Sequence, residues 1–448
     1  MKYIFLFFIL FSCNESKNTN DSSNTVAKED NTIENVSTSI AINNKLVNEI
    51  SRISVKDNFD QALSPEITQK LLNSLENKSI VYLGESDHYF HEKFLYRLRF
   101  IEALAEQGYT NIYAELGYAD GVMVNKYLES GDEDYLKQVG LYGFSYGREL
   151  KYSNRNFVKE VVNYLRKLRD LKIKYPKLQY HGFDLDMNPG TAYVFFDQYL
   201  KKRRIKSSGQ SRIEKIYTLL ERSKKVEGKR IERYEKQLAY MNKVYSIAIK
   251  ILDIDKDFLF HIKQFKNSLE YLIIDSKTQN TDEIFEALQW REDKMVEVML
   301  QHESKNYFED KSIFLGHNGH LTKTDASNSN NETYSGWNVI GTWINKRYPD
   351  QVYAIWSFIG TGEHSGHGCP NGKRCEIPLF PLSLEKIIYE NIESSQPLFF
   401  ENSSVLKSLE NEIKTVVNGQ YLVGGKYSEY LDAFYFMPVV KDVNYLNL

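Results

Sequence analysis

The sequence predicts an α/β fold: a central, mainly parallel sheet flanked by helices, with an inserted all-helical lobe. Three observations carry this. Short apolar runs recur along the 448 residues, several ending directly in ionisable groups. Helical, period-3.6 segments lie between most of them, and strands alternating with helices argue for parallel pairing. Between about residues 193 and 303 the strand signals vanish and only helical periodicity remains.

The chain opens with Met1-Lys2 and an apolar run from Ile4 to Phe11, then Ser12-Cys13. A positive start and a short apolar core are the pattern of an export signal, and the run is too short to span a bilayer. Leu10-Phe11-Ser12-Cys13 resembles a bacterial lipobox, so residues 1–13 are expected to be a signal peptide cleaved before a lipid-modified Cys13. The alternative is an ordinary secretory signal with an incidental cysteine. Residues 14–44 are rich in Asn, Ser, Thr and charge, and cannot bury enough apolar surface to order themselves. They read as a tether. The expected location is the bacterial cell envelope, lipid-anchored on the periplasmic side or the outer membrane.

Residues 45–192 and 304–448 form the expected α/β domain. Ile80–Leu83 reads as a buried strand that stops at Gly84 and presents Glu85, Asp87, His88, His91 and Glu92. A helical pattern follows in Phe94, Leu95, Leu98, Ile101 and Leu104. Asn111–Ala114 is a strand ending in Glu115, and Leu178–Phe183 is one ending in Asp184 and Asp186. Ser312–Leu315 runs into Gly316-His317-Asn318-Gly319-His320, and Val352–Ile359 into Gly360-Thr361-Gly362-Glu363-His364. The Gly360–Gly368 run reads as a loop, without a following helix to make it a phosphate site.

Ligands of open α/β sheets bind outside the carboxyl ends of the strands. Parallel neighbours put those ends on one edge, so one pocket lined by Glu85, His88, Glu115, Asp184, His317 and His320 is expected. A lone Asp or Glu after a strand is ordinarily a helix cap or turn residue. The histidines set this pattern apart, because the chain has nine and His88, His317 and His320 all stand at these ends.

Within the insertion, residues 193–303, the stripe of Ile213, Ile216, Tyr217 and Leu220 and that of Ile231, Tyr234, Leu238, Met241, Tyr245 and Leu252 predict a helical hairpin, with Gly228 between them. Further helices are expected over Asp257–Ser276 and Asp282–Gln301. A formal charge of −3 and a pI near 6.4 give no case for a nucleic-acid partner. Residues 201–236 hold 14 Lys/Arg against 5 Glu, which reads as a solvated face. Cys369 and Cys375 flank a turn-forming stretch, and in an exported protein they are expected to form a disulfide. The alternative is a zinc site completed by His364 and His367.

These motifs resemble a family. Gly84-Glu85-Ser86-Asp87-His88, Glu92 and Arg97 are similar to the Gly-Glu-x-x-His…Glu…Arg signature of the erythromycin esterases. Glu115 stands where that family has a second glutamate, and His181-Gly182-Phe183-Asp184 looks like its Gly-Phe-Asp strand. Arg291 and Met295 resemble its Arg-Asp-x-x-Met helix, with Glu292 in the Asp position; Gly316 to His320 resembles its His-Asn-x-His motif. The order holds over roughly residues 70–440. The resemblance implies a metal-independent hydrolase, without cofactor, that opens a lactone or ester with water. It implies His88 as general base, Glu85 and Glu115 orienting it and the water, and Arg97 and His317 holding the site or the oxyanion. Asp184, His320, Asn318 and Arg291 are expected to contact the substrate, with His320 further out. Tyr89-Phe90 replace the small residues that follow the histidine in the family, which implies a narrower mouth.

Three rival readings stand beside this one. Gly143-Phe144-Ser145-Tyr146-Gly147 matches a serine-hydrolase elbow, but lacks the strand before and the helix after that the motif needs. A metal-dependent hydrolase would use His88, His91, Glu92, His317 and His320. An exported haem- or ligand-binding lipoprotein would draw on the 32 Tyr and 25 Phe. Such a binder has no need of glutamates converging on a histidine, since burying charge is costly.

Overall fold

The computed structural model describes residues 43–139, 159–187, 189–203, 210–251, 254–304, 310–324, 338–364, 375–377, 379–380, 383–392, 394–409, 414–417, 421–424 and 427–442. Its strands are β1 (Val55–Lys56), β2 (Ile80–Glu85), β3 (Tyr109–Gly117), β4 (Gln179–Asp184), β5 (Lys311–His317), β6 (Val352–His364), β7 (Cys375–Glu376), β8 (Leu398–Glu401), β9 (Lys414–Val417), β10 (Tyr421–Gly424) and β11 (Ala433–Val440). One nine-stranded sheet runs in the order β1-β8-β11-β6-β2-β5-β3-β4, with β7 paired to β6; β9 and β10 form a separate hairpin. The contiguous pairs from β11 through β6, β2, β5 and β3 to β4 are all parallel. The antiparallel pairs lie at β1–β8, β8–β11 and β6–β7.

Strand β2 shows why these runs fold this way. All six of its residues are buried, as expected of a central parallel strand covered on both faces. Successive side chains point to opposite faces. Val81 and Leu83 enter one apolar core, with Phe94, Ile101 and Leu104 of the helix Glu92–Ala105. Ile80 and Tyr82 enter the other, with Phe314, Ile340 and Ile344. The sheet therefore sits between two cores, and its central strands end at a common edge.

Among its described residues the expected insertion contains helices and no strand: Pro189–Arg203, Gln210–Lys224, Arg230–Ala248, Lys256–Lys277 and Thr281–Glu303. Gly228 sits at the turn of the hairpin with φ 131°, a conformation that glycine adopts without strain. The lobe has its own core of Phe196, Ile213, Ile216, Met241, Phe258 and Phe265. Its last helix leaves that core. Met295 and Met299 pack with Tyr113, Phe183 and Phe314 against the sheet, so Thr281–Glu303 belongs physically to the α/β body and brings Arg291 and Glu292 to the strand ends.

The structure corrects the sequence in three further places. Residues 360–364 are strand, not loop: β6 continues through Gly360 to His364, paired with β11 and β7. The chain is already helical from residue 43, two residues before the end of the expected tether. Phe90 does not line a mouth; it is fully buried in the core and bridges Asp442 beyond β11. The signal peptide, Cys13, Ser145, His367 and Cys369 lie outside the described residues. Among the described residues no helix is long and apolar enough to cross a membrane.

Candidate active site

Two groups of side chains meet where β2, β5, β3 and β4 end. The first is built on β2. Glu85 is its last residue and lies in register with His317, the last residue of β5. Three residues on, the His88 Nδ1 lies 2.6 Å from Glu85 Oε1. The other oxygen of Glu85 faces Arg97 at 3.0 Å and Lys93 at 3.3 Å, both on the helix that follows. All three of these charged groups are buried. Burial alone would raise the Glu85 pKa, but the Arg97 and Lys93 cations outweigh it and hold the carboxyl at about 2. Burial pushes the Lys93 ammonium down to about 8, against the pull of Glu85. Lys93 also donates to the His88 carbonyl, so the loop carrying the imidazole is tied to the helix at its backbone as well as its ring.

The second group is built on β3. The β3–β4 register shifts between Ala114 and Gly117, an irregularity of the kind that re-aims a side chain. Glu115 stands within it. Its Oε2 accepts the His317 N–H at 2.8 Å, and its Oε1 faces Arg291 Nη2 at 3.1 Å and His320 Nε2 at 3.3 Å. Arg291 also grips Asp184, at 3.0 Å from Nε and 2.5 Å from Nη2. His320 Nδ1 bonds Glu292, whose second oxygen accepts the Ile340 N–H at 2.8 Å. Burial disfavours the His320 cation, yet Glu292 and Glu115 together raise its pKa to about 10. Burial alone would raise the Glu115 carboxyl, but the neighbouring cations, His320 foremost, hold it well below the usual carboxylate range.

His317 joins the two groups. Its ring lies 5.3 Å from that of His88 and 6.3 Å from that of His320. Burial, then the His88 charge, lowers its pKa to about 3, so the ring is neutral at physiological pH. Its Nδ1 accepts the Gly319 N–H at 3.1 Å, which leaves the proton on Nε2, 3.4 Å from the Ser86 carbonyl. The edge thus carries a fixed imidazolium (His320), a neutral imidazole that donates from Nε2 (His317), and a third ring (His88) oriented by an ionised glutamate. His88 is the most open of them, with 10 % of its side chain exposed.

Glu85, His88, Arg97, Glu115, Asp184, Arg291, His317 and His320 are all drawn into this one cluster. Arg97 takes one of its two expected roles: buried against Glu85, it holds the site. Four others are placed differently from expectation. His320, expected further out, is buried between Glu292 and Glu115. Asp184 and Arg291, expected at the substrate, are engaged with each other and with Glu115. Asn318 stitches the sheet: its N–H donates to the Glu85 carbonyl at 2.8 Å and its side-chain amide to the Ser357 carbonyl at 3.0 Å. Lys93 and Glu292 were missed as site residues. A lysine two positions into a helix ordinarily reaches solvent. Glu292 was visible only as a substitution within the Arg-Asp-x-x-Met pattern.

Of the rival metal ligands, the Glu92 carboxylate has other work. Glu92 accepts the Lys441 N–H and the His91 N–H donates to the Lys441 carbonyl, tying this turn to the end of β11. Among the described residues no group of three or more His, Cys, Asp or Glu is arranged to hold a metal ion. Cys375 is disulfide-bonded, which removes its thiolate from the zinc reading; His364 pairs with Asp87 at 2.7 Å through Nδ1 and lies 3.5 Å from the Cys375 Sγ through Nε2.

Comparison with known proteins gives the following. The family model described as Erythromycin esterase matches residues 104–368. No curated protein matches. Among solved structures, one described as a succinoglycan biosynthesis protein is 15 % identical, with a TM-score of 0.64, covering 90 % of this chain and 99 % of its own. A Bacillus cereus protein is 17 % identical, with a TM-score of 0.65 and coverage of 90 % and 99 %. A mutant of the erythromycin esterase EreC in an open conformation is 17 % identical, with a TM-score of 0.60 and coverage of 88 % and 99 %.

Proposed function

Since the chain belongs to the erythromycin esterase family, and is therefore a hydrolase of that type, we propose that it cleaves a lactone or ester by direct water attack with His88 as general base. The observation that carries this is the state of His88: the most open ring of the cluster, its Nδ1 bonded to a carboxylate that two buried cations keep ionised. That bond leaves Nε2 as the nitrogen that takes a proton. A water held there loses its proton to Nε2, and its oxygen attacks the carbonyl carbon. The tetrahedral oxyanion collapses, and Nε2 returns the proton to the departing alkoxide, giving a carboxylic acid and an alcohol.

Charge developing on the carbonyl oxygen is stabilised by a preorganised hydrogen-bond donor. The neutral His317, with its proton on Nε2, has that chemistry, and Glu115 fixes its backbone. Arg97 and Lys93 hold Glu85, and Arg291, itself gripped by Asp184, holds Glu115. Every step uses groups of this chain, so the reaction proposed is metal-independent and without cofactor. The partner is a small-molecule ester or lactone, not a nucleic acid, and the mature protein is proposed to act at the cell envelope, tethered through Cys13.

The test is a screen of the body from about residue 43 against lactones, simple esters and macrolides, with and without a chelator, using His88→Gln as control. Turnover that survives chelation and is lost in His88→Gln is expected. Turnover abolished by the chelator and restored by a divalent metal would refute the metal-free mechanism.

A further inference from the structure

We infer that Glu292 is a positioning residue for this site: by holding His320 Nδ1 it turns Nε2 onto Glu115 and keeps that carboxylate in place beneath His317. For its effect on rate the inference rests on the hydrolytic reading above; for its effect on His320 it rests on the geometry alone.

The arrangement is a buried chain of alternating charge. Glu292, 1 % exposed, sits on one ring nitrogen of His320, and Glu115 sits on the other at 3.3 Å. A neutral imidazole has one N–H and could satisfy only one of them. The second carboxylate would then face a lone pair in a buried setting, an uncompensated arrangement that proteins avoid. Two carboxylates on opposite nitrogens therefore demand the imidazolium. The groups facing His320 are Glu292 from the helix Thr281–Glu303, Glu115 from β3, and the neutral His317 from β5; Arg291 adds its charge on the far side of Glu115. With both acids in place, His320 stays protonated to about pH 10.

Glu292 is anchored to do this. Its second oxygen accepts the Ile340 N–H at the start of the helix Ile340–Arg347, which fixes the carboxylate plane. Its chain neighbour Arg291 reaches Glu115 directly at 3.1 Å. One helix thus supports Glu115 twice, once by its own guanidinium and once through His320. Glu115 in turn accepts the backbone N–H of His317, whose neutral ring, 5.3 Å from that of His88, the proposed reaction uses.

The experiment is ¹⁵N-histidine NMR of the full body at pH 8, with His320→Gln to assign the resonance. In the wild type both His320 nitrogens should carry protons. Glu292→Gln keeps side-chain volume and an oxygen for Ile340 but removes the charge; His320 should become neutral at pH 8. On a substrate found in the screen, kcat should fall about tenfold to a hundredfold, as for carboxylates that orient a functional imidazole, with KM little changed. Glu292→Asp should restore the imidazolium and most of kcat. Should Glu292→Gln fail to fold, Glu115→Gln offers the same NMR readout from the opposite nitrogen and leaves the Ile340 bond intact. A His320 that stays doubly protonated in Glu292→Gln overturns the inference, as does full kcat with a neutral His320. Absence of any ester or lactone turnover would sink the hydrolytic reading and leave the NMR result to decide the role of Glu292.

Discussion

Removing the Arg291 guanidinium should destabilise the protein more than any other single change at the strand ends. Arg291 is buried and shared between two carboxylates, Asp184 at 2.5 and 3.0 Å and Glu115 at 3.1 Å. Deleting one partner of a buried ion pair costs about 3–5 kcal/mol, because the other charge is left uncompensated. Arg291→Met uncovers two carboxylates at once, which places the cost in the upper half of that range, about 4–5 kcal/mol. Unfolding entropy near the midpoint is about 2.1 cal/mol/K per residue, so for a body of roughly 400 residues this is a Tm drop of roughly 5 °C. Calorimetry at pH 7.5 measures it. A double-mutant cycle with Asp184→Asn then isolates the pair: with no charge left at position 184, the loss in the double variant should fall short of the sum of the single losses by about 0.5–3 kcal/mol. A Tm for Arg291→Met within about 1 °C of wild type, or strict additivity in the cycle, would refute the reasoning.

Three further outcomes are expected. His88→Gln should lower turnover by about 10²–10⁴, with an unchanged circular dichroism spectrum, because His88 stands on a loop and not in a core. Gly84→Ala should lower the urea midpoint: a Cβ there would lie 2.2 Å from Asn318 Oδ1 and 3.1 Å from the Trp356 ring, and overpacking of this kind costs about 1–3 kcal/mol. Burial, then the charge of Asp184, raises the Asp186 carboxyl to about 7 against hydrogen bonds from the Ala119 and Asp120 backbone. That is above its unfolded value of about 3.9, so its contribution is full below about pH 3.9 and is lost as pH rises through 7. Tm should therefore decline across about pH 4–7 in the wild type and less so in Asp186→Asn; parallel curves would show that Asp186 does not titrate there.

The legible part of the fold was the part with chemistry at its ends. Ile80–Leu83, Asn111–Ala114, Leu178–Phe183, Ser312–Leu315 and Val352–Ile359 were each found because an apolar run met Glu, Asp or His, and each is a strand of the sheet. Strands β8 and β11 escaped this pattern: Ala433–Val440 carries Pro438 and no Glu, Asp or His, and nothing local set the run Leu398–Glu401 apart. Strand order was not legible either: nothing local tells β5 to insert between β2 and β3. At the site, the residue types were readable and their pairings were not. Glu85 and His88 are three apart and declare their bond. Which acid holds His320 is decided by a helix that the reading had assigned to the inserted lobe.

That strand order has a consequence for how the chain acquires its structure. β2 and β3 are close in sequence and each pairs with β5, yet β5 lies beyond the whole helical lobe. Until it docks, β2 and β3 present two open edges to the gap it will fill, the kind of edge that pairs with other chains. The bond from the His317 N–H to Glu115 closes over 202 residues. Contacts of such long sequence separation slow folding and prolong the exposure of partly folded states. A truncation ending before Lys311 should therefore yield an aggregating species rather than a smaller sheet. Aggregation during refolding should be governed by the arrival of β5 rather than by the lobe, whose own core can close locally.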